Sequence, residues 1–375
     1  MVNKFNAFNI RLVAALLILG FGFIPTMLIA SEEAVQHQEA QPTLAGEHDI
    51  EKGFSAGEMI LNHIKDAHDW HIMDIGDHSI SIPLPVIIYS PQNGLDVFMS
   101  SKFEHGHAAY KGYRLKPGKI ILDEQAYTTE EAANISFYDF SITKNVSAMF
   151  LSIIILCLVF ISVAKAYKKG PKKAPKGLQS FVEPLIMFIR DEVAKPSIGA
   201  GYQKFMPFLL SIFFFILVNN LMGLIPIFPF GANVTGNIAV TLVLAAFTFI
   251  VTLFSANKHY WIHIVKTPGV PLWLLPIMIP IEILGVLSKP VVLMLRLFAN
   301  ITAGHIIILA FFSLIFIFGS ISPASGYGVS VMSVIFIVFM NFLELLVAFL
   351  QAYVFTLLSA LYFGMAVFEE HHHTH

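Results

Sequence analysis

Residues 293–305 read Leu-Met-Leu-Arg-Leu-Phe-Ala-Asn-Ile-Thr-Ala-Gly-His and lie within an apolar run that is long enough to cross a bilayer. This stretch therefore predicts a membrane-spanning helix with Arg296 in its middle. An arginine at the centre of such a helix costs about 2.5–3.5 kcal/mol on insertion scales, and its side chain stays protonated at ordinary pH. The sequence thus indicates a function that requires a permanent positive charge deep in the membrane.

The composition of the whole chain agrees with this prediction. Hydrophobic residues make up 56% of the 375 residues and charged residues only 13%, which is typical of an integral membrane protein. The charges are concentrated in loops and in one polar block, and no surface for nucleic acid is indicated. Because Cys157 is the single cysteine, a disulfide framework and a thiolate metal site are excluded.

The first 30 residues resemble a secretory signal. Lys4 and Arg11 precede an apolar run from Leu12 to Ile29, and the segment ends at a polar boundary. We predict a signal peptide over residues 1–30, with an uncleaved signal anchor as the alternative because the run is almost long enough to span. In both cases the following residues are exported.

Residues 31–142 are polar and predict a small exported N-terminal domain that contains strands. The alternation Ser79–Ile82 and the apolar run Val86–Tyr89 favour strands, and a capping-box pattern with Glu58 predicts a helix over Ser55–Asp69. The histidines of this block match no specific zinc signature, so we expect a solvated surface without a metal site.

From residue 143 onward the chain alternates apolar runs with polar breaks. We predict an all-α polytopic membrane core over residues 143–368, followed by a tail over 369–375. Its five membrane crossings correspond to the runs Val146–Val163, Met206–Phe228, Ile238–Ser255, Leu272–Phe318 and Ser330–Val367. Six lysines between residues 165 and 176 place that loop in the cytoplasm by the positive-inside rule, so the N-terminal domain is outside and the tail inside.

The last two runs are too long for upright helices. As continuous helices they would extend about 70 Å and about 57 Å, against a hydrocarbon core of about 30 Å. Each either lies steeply tilted or breaks into a span and an interfacial piece, and prolines at positions 276, 280 and 290 would permit a bend. We favour a hairpin of two tilted helices joined by a turn at Ser320–Gly328.

Polar residues recur within these two helices at helical spacing. Glu282, Lys289 and Arg296 are seven residues apart and share one stripe, with Asn300 one turn further, and Asn341, Glu344 and Gln351 share a face of the last helix. Such residues either hold helices together or line a proton path. His305 is about half a turn from the Arg296 stripe and about 13 Å along the axis, so the two side chains can have different functions.

Several motifs resemble those of the membrane subunit a of F-type ATP synthases, over roughly residues 146–368. These motifs are Leu287–Pro290, Leu295–Asn300, Ala303–Gly304, Leu350–Phe355 and Asn220–Pro226. The resemblance implies a stator subunit in the bacterial inner membrane that contacts a rotating ring of c subunits, subunit b and the rest of the F1Fo complex.

The resemblance also implies a set of site residues. By it, Arg296 is the essential arginine that faces the ring carboxylates and separates two aqueous half-channels, and His305 and Glu344 correspond to the channel pair. The candidate proton-translocation residues are Arg296, His305, Glu344, Asn300, Gln351, Lys289 and Asn220. The chain carries no nucleotide-binding loop, so we expect ATP chemistry on other subunits and no cofactor, catalytic residue or metal here.

Three features depart from the family pattern. In many bacterial relatives the position of His305 is acidic and that of Glu344 is histidine, so the pair is exchanged here, and the chemistry is retained only if the two side chains meet. Gly223 stands where some members carry an aspartate. The exported block lies outside the common core.

Other functions remain open from the residues alone. A proton-coupled secondary transporter would show inverted repeats and broken helices around a midplane pocket, and the sequence shows no such repeat. An intramembrane hydrolase would need a paired metal motif or a serine nucleophile motif. A purely structural scaffold would tolerate Arg296→Gln without loss of proton conduction.

Overall fold

The protein combines a strand-rich N-terminal region with a bundle of long helices. The computed structural model describes residues 56–57, 59–60, 65–75, 78–116, 118–123, 125–127, 135–169, 175–225, 227–265 and 270–367. The predicted signal segment, the tail over 369–375 and the capping-box residues Ser55 and Glu58 lie outside these ranges.

The strand-rich part, which we call the β region (described residues between 65 and 142), contains three small antiparallel sheets. Their orders are β1-β2, β4-β3-β8 and β5-β6-β7. The strands are β1 Asp69–Ile75, β2 His78–Pro83, β3 Pro85–Ser90, β4 Gly94–Met99, β5 Ala109–Tyr110, β6 Tyr113–Lys116, β7 Lys119–Leu122 and β8 Tyr138–Asp139. Alternate residues of β3, such as Val86 and Ile88, are fully buried with Phe103 and Tyr113, as expected for a half-buried strand.

The two strands predicted from the alternation and from the apolar run are confirmed as β2 and β3. The helix predicted to reach Asp69 is wrong at its end, because Asp69 begins β1 and pairs with Pro83. The next residue explains the difference: Trp70 is 5% exposed and belongs to the core formed by the long helices. Tertiary packing of this large side chain decides the local structure over helix propensity.

Eight helices follow in the described part of the chain. They are α1 Lys144–Lys169, α2 Leu178–Phe188, α3 Lys195–Ile198, α4 Met206–Leu224, α5 Ile238–Ser255, α6 Lys258–Val265, α7 Leu275–Ile321 and α8 Pro323–Val367. Five of them, α1, α4, α5, α7 and α8, are long and apolar enough to cross a membrane. The chain is therefore a polytopic all-α membrane protein with a strand-containing N-terminal region.

The predicted span over Met206–Phe228 is too long at its end. Helix α4 stops at Leu224, Ile225 is extended, and the carbonyl of Met222 accepts a hydrogen bond from the N–H of Gly231. The chain therefore folds back over the end of α4. We call the described residues 227–237, which connect α4 to α5, the α4–α5 loop.

The two longest runs form continuous helices, as the tilted-hairpin prediction requires, although α7 contains Pro280 and Pro290. The predicted turn over Ser320–Gly328 is wrong, because α7 ends at Ile321 and α8 begins at Pro323, the first helical position that proline favours. Most of the supposed turn residues are helical.

Small residues explain the tight connection between α7 and α8. A Cβ atom built at Gly326 would lie 2.8 Å from the Cα atom of Gly319, so the two backbones touch there. The N–H of Ser325 is capped by the Oγ of Ser322, which stabilises the start of α8. In membrane helices such small residues commonly mark close helix contacts rather than turns.

Helix α4 is central in the bundle, and the long hairpin is peripheral. In an 18-residue apolar stretch of each helix, the buried share is 67% for α4, 11% for α7 and 17% for α8. The amide of Asn219 on α4 donates to the Oγ of Ser152 on α1, which links two of the inner helices. The α7–α8 hairpin therefore presents a large uncovered apolar surface.

Candidate functional site

The imidazole of His305 and the carboxylate of Glu344 meet between α7 and α8. Nδ1 of His305 lies 3.1 Å from Oε1 of Glu344, and the side chains are 20% and 4% exposed. A Cβ atom at Gly304 would lie 2.8 Å from the same carboxylate oxygen, so the absence of a side chain there makes room for Glu344. The structure thus brings together the two residues that the resemblance singled out as a channel pair.

A second polar contact between the two helices joins two amides. Nδ2 of Asn300 donates to Oε1 of Gln351 over 2.8 Å, and Gln351 is 3% exposed. Asn341, which the spacing placed on the same face as Gln351, is exposed and donates to the carbonyl of Ile337 in its own helix. Asn300 and Gln351 therefore meet between the two helices, and Asn341 does not take part in this contact.

Asn220 on α4 is buried and held by protein groups. Its Nδ2 donates to the carbonyl of Ala348 on α8 over 3.0 Å, and its Oδ1 accepts from the hydroxyl of Thr235 in the α4–α5 loop over 2.6 Å. This residue ties α4, α8 and the loop together near the acid–imidazole pair. Its geometry fits a support for the site as well as a polar lining.

Arg296 lies on the uncovered face of α7. Its side chain is exposed, and it forms no hydrogen bond or salt bridge with any residue that the structure describes. Several residues within about 60° of it around the helix are also exposed, while Leu293 at the edge of this sector is buried. The exposed ones are Val292, Ala299, Asn300, Ala303 and Ile307. A cation without a counter-ion in an apolar face is a site that an external carboxylate can occupy.

Lys289 and Glu282 of the predicted stripe lie nearer the other end of α7. The Nζ of Lys289 is 5.8 Å from the ring centre of Tyr260 and 5.6 Å from that of Tyr362. Glu282 Oε1 is 3.5 Å from Nδ1 of His263 on α6. Burial, with the charge of Glu282 as a second cause, raises the pKa of Tyr260, so this phenol stays neutral at pH 7.

Some residues of the site were not found from the sequence. Gly304, Thr235 and Tyr260 each contact a predicted site residue, yet none carries a charge or stands in an intramembrane polar pattern. The signal for Gly304 was its place directly before His305. Across the described ranges, no cluster of three or more histidine, cysteine or acidic side chains could hold a metal ion.

The fold and these contacts define a class of protein: a polytopic membrane protein with a buried acid–imidazole pair and, within its spans, an arginine that has no counter-ion among the described residues. Comparison with known proteins then places the chain. The sequence pattern of the ATP synthase A chain family matches residues 146–364, and a family described only as a domain of unknown function matches residues 59–140.

Three relatives illustrate the similarity. ATP synthase subunit a of Chloroherpeton thalassium is 48% identical over 63% of this chain and 69% of its own length. That of Chlorobium phaeobacteroides is 44% identical over 72% of this chain and 81% of its own length. That of Myxococcus xanthus is 42% identical over 63% of this chain and 76% of its own length. The chain belongs to the ATP synthase subunit a family, which consists of membrane subunits of the proton-translocating Fo sector.

Proposed function

We propose that this protein is the stator subunit that conducts protons past a rotating ring of carboxylate-bearing c subunits, with Arg296 as the barrier between two half-channels. The observation that carries the proposal is the exposed guanidinium in the uncovered apolar face of α7, without a hydrogen bond or salt bridge among the described residues. Family membership supports the assignment to the Fo sector.

The chemistry of the ring carboxylates explains why a permanent cation is required. A carboxyl group must be protonated to face lipid, while a nearby arginine favours its ionised form by charge attraction. Each ring carboxyl therefore releases its proton as it reaches Arg296 and takes up another after passing it. The membrane potential contributes about 2.3 kcal/mol per charge per 100 mV, and this work turns the ring.

The acid–imidazole pair fits the half-channel on the β-region side. At 3.1 Å, His305 and Glu344 are close enough to pass a proton directly. The two side chains meet in this chain, as the exchanged pair requires, and this contact supports a relay role. Along α7, Asn300 lies between Arg296 and His305, and it donates a hydrogen bond to Gln351 on α8.

The half-channel on the other side is assigned to the opposite end of α7. There Lys289 lies between two tyrosine rings, and the contact between Glu282 and His263 offers titratable groups at the end of the bundle. The six lysines between residues 165 and 176, at and beyond the end of α1, support a cytoplasmic location for this end and a periplasmic location for the β region. The membrane is then the bacterial inner membrane.

The proposed partners are the c-ring, subunit b and the remaining subunits of the F1Fo complex. The chain itself is not an enzyme in this proposal, and ATP synthesis occurs on the soluble head. Helices α7 and α8, whose apolar windows are mostly uncovered, provide the surface for the ring.

Substitution of Arg296 tests the proposal. In Arg296→Ala the complex should assemble with the ring and the ATPase head, while ATP synthesis and ATP-driven proton pumping are abolished. Arg296→Lys should retain only a small residual activity, because a buried lysine can lose its proton. Lys204→Ala removes an exposed charge outside the long helices and should behave as wild type. Normal pumping by Arg296→Ala would refute the proposal.

A further inference from the structure

The β region is seated firmly on the helix bundle. The carboxylate of Asp66 accepts hydrogen bonds from the N–H of Asn145 and from the hydroxyl of Thr143, at the start of α1. The carbonyl of Ala67 also accepts from the N–H of Lys144. These bonds join the β region to the first turn of α1 from two sides, so the connection is not a single flexible strand of chain.

The same part of the β region reaches the α4–α5 loop. Trp70 on β1 contacts Phe228 edge to face, with ring centres 5.4 Å apart and an angle of 84° between the rings. Trp70, Ala232 and Val234 are all at most 5% exposed and belong to one continuous apolar core. An aromatic contact of this kind stabilises an arrangement by about 0.5–1.5 kcal/mol beyond its buried area.

The loop in turn touches the groups around the acid–imidazole pair. A Cβ atom built at Gly223 would lie 3.3 Å from the carbonyl oxygen of Ala232 and 3.9 Å from Nε2 of His305. The loop carbonyl and the imidazole therefore both lie beside Gly223.

Two further bonds fix the position of the loop relative to the site. Thr235 donates to Asn220 on α4, and the hydroxyl of Thr302 on α7 donates to the carbonyl of Gly236 over 3.4 Å. A displacement of the loop would therefore alter the groups that border His305 from α4 and α7. Among the contacts described above, Trp70 is the residue of the β region that contacts this loop, through Phe228.

We propose that the β region is a positioning domain for the outer proton inlet, in which Trp70 holds the α4–α5 loop in place beside His305. This inference rests on the proposed function, because it assigns a role in the same proton path. It gives a function to the part of the chain that matches a domain family of unknown function. Trp70 is a positioning residue and does not itself carry protons.

The test measures passive proton flux through Fo in membrane vesicles stripped of the ATPase head, at fixed potential and per assembled complex. Trp70→Ala should lower the proton flux by about tenfold at neutral outside pH, because displacing a reacting group by about 1 Å changes a rate by this order or more. A saturating outside proton concentration should restore most of the flux, because the defect lies in access. The dependence on inside pH should not change.

Two variants serve as controls. Trp70→Phe keeps an aromatic ring against Phe228 and should behave as wild type. Tyr89→Ala removes a half-exposed ring elsewhere in the β region and should leave the flux unchanged. A role limited to folding would reduce the amount of complex in Trp70→Ala while leaving its flux per complex and its pH profile intact, and this result would overturn the inference.

The outcome also separates this inference from the proposed function. If Trp70→Ala conducts as wild type while Arg296→Ala has lost coupled pumping, the positioning role is wrong and the stator assignment stands. If Arg296→Ala pumps normally, the stator assignment is wrong, and the inlet role is overturned with it. Equal effects of outside and inside pH on Trp70→Ala would contradict a defect at the outer inlet.

Discussion

At the scale of single residues, Gly304 and Glu344 show how one missing side chain shapes the proposed proton path. The carboxylate of Glu344 occupies the space beside α7 that any other residue at 304 would fill, and this position brings it to the imidazole of His305. A buried carboxylate is costly unless a nearby group compensates it, and His305 supplies that group. In the proposed function, the contact between the two helices is thus also the contact between two proton carriers.

Gly304→Ala should therefore reduce proton conduction without preventing assembly. Its methyl carbon would stand 2.8 Å from a carboxylate oxygen, so Glu344 must move away from His305. A shift of about 1 Å in a reacting group can cost about 10²-fold in rate. ATP-driven pumping by purified, reconstituted complex measures the effect.

Gly328→Ala is the matched control, because no atom lies within 4 Å of the position that its Cβ would take. It should pump as wild type. Equal pumping by Gly304→Ala and Gly328→Ala would show that the placement of Glu344 does not limit proton transfer.

The sequence predicted these residues unequally. Arg296 could be predicted because a charged residue in an apolar run has a high free energy of insertion. His305 and Glu344 could be predicted because they are titratable residues within such runs. The bonds of Asn220 could not be predicted, since its acceptor is a backbone carbonyl 128 residues away and its donor, Thr235, is in a loop. Such contacts depend on tertiary packing and leave no trace in spacing.

At the scale of elements, the α7–α8 hairpin shows where sequence patterns mislead. Glycine, serine and proline between residues 320 and 328 are typical of a turn in a soluble protein. In this bundle Gly326 instead lets α8 approach the backbone of α7 at Gly319, and the reversal is confined to Ser322. The lengths of α7 and α8, by contrast, followed directly from the apolar runs.

Gly326→Ala should destabilise this hairpin. Its Cβ would meet the Cα atom of Gly319 at 2.8 Å, and backbone atoms cannot rotate aside, so the helices must separate. Overpacking of this kind costs about 1–3 kcal/mol. Thermal denaturation of the purified complex should show a lower midpoint.

Gly319→Ala tests the same contact from the other helix, where a Cβ atom would meet open space. We expect its midpoint to match that of the wild type. If both alanines lowered the midpoint equally, the loss would reflect glycine content in general and not the contact between the helices.

The junction between the β region and α1 depends on a buried acid. Burial raises the pKa of Asp66, although hydrogen bonds from Asn145 and Thr143 act in the opposite direction. A raised pKa in the folded state means that this group contributes stability at low pH, which is lost as the pH rises through that pKa. At Asp139 burial also acts to raise the pKa, but the ion pair with His68 at 3.5 Å and the hydrogen bond from the N–H of Ser141 outweigh it and leave the pKa lowered.

At the scale of the whole molecule, the distribution of buried surface is uneven. Helix α4 and the start of α1 are enclosed, while α7 and the first part of α8 are apolar and uncovered. An uncovered apolar surface can face lipid alone, but a cation in its middle cannot do so without large cost. A rotor that bears carboxylates would cover this apolar surface and supply a counter-charge for the cation.

The sequence established the membrane class, the five long helices and the strands of the N-terminal region, and the structure agrees with each. It could not predict that the β region contacts the loop beside His305, because that depends on how Trp70 packs against a bundle formed later in the chain. The relation between the two parts is a property of the assembled fold.

The most direct test of the central claim is whether position 299, one turn from Arg296 on the uncovered face, touches the ring. In a Cys157→Ser background, Ala299→Cys should form a disulfide with a cysteine placed beside the ring carboxylate, and this bond should stop pumping until it is reduced. Leu297→Cys, which points into the bundle at 0% exposure, should form none. Failure to cross-link at 299, or efficient cross-linking at 297, would contradict the account.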